Sequence, residues 1–68
     1  MEVKKGTILE VNHSRKGKFT GIALRDFNTE KEVFYPIKTI EYVEGMNTEW
    51  IEGEEIPCRS SLCKITVK

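Results

Sequence analysis

Along most of this chain, apolar and polar residues alternate with a period of two, and no long stretch carries a helical stripe. In Thr7-Ile8-Leu9-Glu10-Val11-Asn12 and in Lys18-Phe19-Thr20-Gly21-Ile22-Ala23-Leu24, the apolar residues are mostly β-branched or aromatic. Those side chains suit a pleated, half-buried surface. The pattern predicts strands over 3–12, 18–27, 31–37, 49–58 and 62–67. Between the second and third, Asp26, Asn28 and Thr29 supply turn chemistry. Gly45-Met46-Asn47 interrupts the longest connection, 38–48, which has room for a short helical turn.

A hairpin is expected at the end of the chain. With Ser60-Ser61 at its tip, Cys58 falls opposite Cys63 and Ile56 opposite Ile65, so both strands turn their apolar residues to one side. Pro57 removes a ladder donor and marks a bulge or an edge. Five short antiparallel strands predict an all-β fold, a small five-stranded antiparallel barrel over residues 1–68 as a single domain. The oligonucleotide-binding (OB) and SH3-like barrels are the two candidates.

The order of motifs resembles that of the cold-shock domain, an OB-fold family. The residues that carry the resemblance are Lys5-Gly6-Thr7-Ile8-Leu9-Glu10-Val11-Asn12, Lys16-Gly17-Lys18-Phe19, Val33-Phe34-Tyr35-Pro36 and Glu52-Gly53-Glu54-Glu55-Ile56. The resemblance implies a binder of single-stranded RNA or DNA that stacks bases on exposed aromatic rings. This chain departs from the family at Glu10, where a tryptophan is expected, and at Pro36, where a histidine is expected. Phe19 is what remains of the family's pair of phenylalanines in the second strand.

Charge qualifies that expectation. Lys plus Arg and Asp plus Glu number 11 each among 68 residues, a balance unlike a strongly basic nucleic-acid clamp. Positive charge is local, in the turn His13-Ser14-Arg15-Lys16-Gly17-Lys18. A nucleic-acid surface would use Arg15, Lys16 and Lys18 against phosphates and Phe19 and Phe34 against bases, with Lys5 and Lys38 extending the track. The plainer reading makes the turn a solvated tip and Phe19 a core residue. By strand parity, Phe34 and Tyr35 point to opposite faces.

From Glu41 to Ile56 there are six glutamates and no Lys or Arg. This arm, or a strand edge, supports an alternative function as a protein-interaction module, with Tyr42, Glu44, Trp50 and Glu52 at the interface. Two cysteines are too few for a disulfide scaffold; facing each other across the hairpin they have the geometry for a cross-strand disulfide, but as thiols they are better read as small buried hydrophobes. With His13 the only histidine, neither a zinc site nor a nucleophilic triad can be assembled. The expectation is a non-catalytic protein with no cofactor and no metal. The cytoplasm is the expected setting, since no apolar run reaches the length of a membrane span.

Overall fold

The computed structural model describes residues 1–44, 53, 55 and 58–68. These form eight strands: β1 (Glu2–Val3), β2 (Ile8–His13), β3 (Gly17–Ala23), β4 (Phe27–Asn28), β5 (Phe34–Tyr35), β6 (Ile37–Glu44), β7 (Cys58–Arg59) and β8 (Cys63–Val67). The chain is all-β over the described residues, and every strand pairing is antiparallel. A four-stranded sheet runs in the order β6-β3-β2-β8, flanked by the two-stranded pairs β1-β4 and β5-β7. None of these sheets closes on itself among the described residues.

Alternation decides which face is buried. In β2, Leu9, Val11 and His13 point inward and Ile8, Glu10 and Asn12 outward. Across the register, Leu9 meets Gly21 and Val67, Val11 meets Phe19 and Ile65, and His13 meets Gly17 and Cys63. The core gathers Val3, Leu9, Val11, Phe19, Ala23, Phe27, Tyr35, Ile37, Cys58 and Cys63. Phe27 and Tyr35 stack within it, their ring centroids 5.3 Å apart.

The first three expected strands prove to be pairs of shorter or displaced ones. The span 3–12 is cut by a turn at Lys4–Thr7, where Gly6 adopts φ +86° and the Thr7 amide bonds to the Lys4 carbonyl at 3.1 Å. The span 18–27 ends at Ala23 and resumes as β4. Pro36 separates β5 from β6, and β6 continues to Glu44. The helical turn considered for 38–48 is thus strand up to 44, because pairing with β3 fixes Ile37, Thr39 and Tyr42 along it. The expected turn chemistry at Asn28 is present: its Oδ1 accepts the Glu30 amide at 2.9 Å.

At the end of the chain, the turn forms, but no ladder joins its arms among the described residues; Ile56, expected opposite Ile65, lies outside them. The Leu62 amide bonds to the Arg59 carbonyl at 2.8 Å, closing Ser60-Ser61 as the tip. The two arms then join different sheets, β7 with β5 and β8 with β2. The fourth expected strand, 49–58, lies outside the described residues except for Gly53, Glu55 and Cys58.

β6 carries two irregularities against β3. Lys18 faces Glu44 and Phe19 faces Tyr42, which leaves Val43 over; Thr20 faces Glu41 and Gly21 faces Thr39, which leaves Ile40 over. Each bulge adds twist and bends the strand. Gly21 allows the tight approach at that bend: a Cβ there would collide with the Ile37 side chain and sit 3.1 Å from the Lys38 carbonyl.

Candidate functional site

The outward face of the four-stranded sheet is ordered into three cross-strand rows. Lys64, Asn12, Lys18 and Glu44 form the first, and Thr66, Glu10, Thr20 and Glu41 the second. Ile8, Ile22 and Lys38 form the third, which Lys68 adjoins through its amide bond to the Ile8 carbonyl at 3.1 Å. Cations therefore occupy only the two outer rows, the first of which also ends in Glu44, while the middle row carries the carboxylates Glu10 and Glu41 and no cation. Lys18 Nζ lies 3.7 Å from Glu44 Oε1, and the Lys68 ammonium reaches across to donate to Thr20 Oγ1 at 3.3 Å. Glu10 sits at the centre of this face, where it works against a continuous phosphate track.

The basic turn is built by its flanking residues. His13 pairs with Gly17 and leaves the three-residue loop 14–16. Gly17 takes φ +85°, the left-handed position that closes such a loop with a bulge. His13, 5% exposed, places Nδ1 beneath the loop, where it accepts the amides of Arg15 at 3.1 Å and Lys16 at 3.2 Å. Arg15 projects outward while Lys16 is half-buried. Next to this loop, Asn12, Ser14, Ser60, Ser61, Leu62, Cys63 and Lys64 line a shallow depression rich in hydroxyls.

The residues expected to form one nucleic-acid surface are separated. Arg15, Lys16 and Lys18 gather at the loop end of the sheet, whereas Lys38 stands in the opposite outer row. Lys5 belongs to the turn before β2, where its amide donates to Asp26 Oδ1 at 2.7 Å. Phe19 is 1% exposed and packs in the core, so it offers no ring to a base. Tyr42, opposite Phe19, is half-buried and Glu44 is exposed; Trp50 and Glu52 lie outside the described residues.

Phe34 differs from Phe19 in every respect. It is 55% exposed, and its neighbour Tyr35 is buried, as parity requires. The β5-β7 register sets Phe34 opposite Arg59, whose guanidinium carbon lies 5.6 Å from the ring centroid. Leu24, Phe34, Pro36, Ile37 and Glu55 line a second depression at this corner, with Tyr35 and Cys58 beneath. Val33 and Leu24 are also exposed. Reading the sequence missed Arg59, because its pairing with Phe34 joins strands far apart in the chain. It also missed Lys64 and Lys68, although period two from Lys64 through Thr66 to Lys68 would have placed both on the outward face.

Cys58 and Cys63 are free thiols buried on either side of the 59–62 turn. A hydrogen bond to Cys63, with burial, pushes the Cys58 thiol far above its ordinary range. The same bond holds Cys63 below its ordinary value. The Cys63 thiol also donates to the Arg59 carbonyl oxygen at 3.3 Å. His13 and Cys63 are register partners, but no three metal-ligating side chains cluster among the described residues. No described helix is long and apolar enough to cross a membrane. Comparison with protein families, with curated proteins and with solved structures finds no match.

Proposed function

We propose that this chain is a non-catalytic binding module that holds an extended segment of a partner protein at the Phe34–Arg59 corner. The observation that carries this reading is the exposed Phe34 ring held against Arg59 at the rim of an apolar depression. Aromatic and arginine side chains beside a small pocket are the residue types that concentrate binding energy at interfaces. The depression would take one aliphatic side chain, and Arg59 would meet a carboxylate of the same segment. This keeps the protein-interaction alternative but moves its surface from the acidic arm to β5 and β7.

The test is affinity capture from the native host with wild type and Phe34→Ala as paired baits. A protein partner retained by the wild type and lost by Phe34→Ala supports the reading; equal retention by both would sink it.

A second reading, single-stranded RNA or DNA binding, has its own support at the loop end of the sheet. There Arg15, Lys16, Lys18 and Lys64 surround the hydroxyl-lined depression of Asn12, Ser14, Ser60 and Ser61, a setting suited to a phosphate backbone. It predicts oligonucleotide affinity that falls steeply with salt and is insensitive to Phe34→Ala. No binding at low salt removes it.

The same reading extends to architecture. The bends in β6, the direct run from β5 into β6 at Pro36, and β7 bound to β5 are what wrapping five strands into a small barrel requires. The last strand, β8, lies beside β2, the first of the long strands, and this supports the SH3-like alternative.

A further inference from the structure

The geometry points to Cys58 and Cys63 as a dithiol that a low-molecular-weight disulfide converts into an intrachain disulfide across the Ser60-Ser61 turn. This proposal is independent of which partner the module binds. Three observations carry it. The two cysteines flank the four-residue turn 59–62, and their side chains interact with each other. The Leu62-to-Arg59 bond closes the turn between them and fixes that approach. Cys63, 6% exposed, lines the surface depressions on both sides of β8, whereas Cys58 is 0% exposed.

That asymmetry assigns the roles. Cys63 is the more accessible of the two and stands at the floor of an open approach, where its thiolate is the attacking nucleophile once the thiol releases the Arg59 carbonyl. It attacks one sulfur of the reagent disulfide; a Cys63–reagent bond forms as the reagent S–S bond breaks, and one reagent thiolate leaves. Cys58 then attacks Cys63 Sγ and releases the second reagent thiolate. Two protein thiols are oxidised to one disulfide, one reagent disulfide is reduced to two thiols, and the two protein protons end on the leaving groups. No other reactant is needed. Closure would tie β7 directly to β8, two strands that otherwise belong to different sheets.

The experiment incubates the folded wild-type protein with oxidised glutathione, quenches it with acid, alkylates it in denaturant and reads the intact mass. The expected product is a monomer lacking two hydrogens, with neither cysteine alkylated. Cys58→Ser is expected to stop at a single glutathione adduct on Cys63. Cys63→Ser should react about tenfold or more slowly, since the remaining thiol is fully buried. A wild-type protein that keeps both thiols, retains an unresolved adduct, or forms a disulfide between two chains overturns the proposal, whether or not the variants fold.

Discussion

Phe19 and Phe34 are the same residue in two regions that ask opposite things of it. Phe19 lies in the middle of β3, on the face that meets Val11 and Tyr42, and is sealed from water. Phe34 lies in a two-residue strand, with one partner strand and an arginine against its ring. The first contributes buried apolar area and contact with a close-packed interior. The second leaves more than half of its surface in water, so little of it supports the fold. An aromatic side chain that the fold can spare is available for recognition.

The sharpest way to break this contrast is truncation. Phe19→Ala is expected to cost about 3–5 kcal/mol, by lost transfer energy and an unfilled cavity. Urea denaturation followed by circular dichroism measures it. A cost near that of Phe34→Ala would mean that Phe19 is not the core plug its burial indicates.

Next in size is the close approach beneath Phe19. Gly21→Ala forces Ile37 and the β6 backbone aside, at about 1–3 kcal/mol for overpacking. The same unfolding experiment reads it, and an unchanged midpoint would show that β6 relaxes freely. For Phe34→Ala, the loss in stability is expected to stay at about 1 kcal/mol or less, the scale of one exposed cation–π contact. Its effect belongs instead in partner capture.

Smallest is a dependence on pH that separates Tyr35 from its exposed neighbour. Desolvation raises the Tyr35 phenol above its ordinary value, with the Cys63 charge adding to the effect. A folded-state value above the unfolded one stabilises below about pH 10 and is lost as the pH climbs through the folded value. Thermal melts should therefore fall off in alkali, and Tyr35→Phe should flatten that slope. Lys4, raised by its hydrogen bond to Glu2, slopes the same way and remains in the variant as the control. An unaltered alkaline slope in Tyr35→Phe would remove this part of the contrast.

Much of the inner face was legible in the chain. Period two in β2, period two in β8 from Cys63 to Ile65, and the turn at Asn28 follow from local residue types, and all are present, although Val67 at the end of β8 is exposed. So does the split between Phe34 and Tyr35. What was not legible depends on pairing between distant segments. Ser60-Ser61 predicted a turn correctly, but a turn does not say which sheet each arm joins. The family motif makes Phe19 a base-stacking residue and the plainer reading makes it a core residue; only its register partner Val11 commits it to the core. The Arg59–Phe34 contact required the β5-β7 register, which no local pattern encodes.

The two spare residues of β6 have a consequence for behaviour in concentrated solution. Ile-Lys-Thr-Ile-Glu-Tyr-Val-Glu is rich in the residues that recruit a second copy into a growing cross-β stack. Such growth needs a flat run of evenly spaced amides and carbonyls. In β6 that spacing slips twice in eight residues, at Ile40 and Val43, and glutamates follow both positions. The irregularity that curves the sheet thus also acts as a gatekeeper against fibril formation.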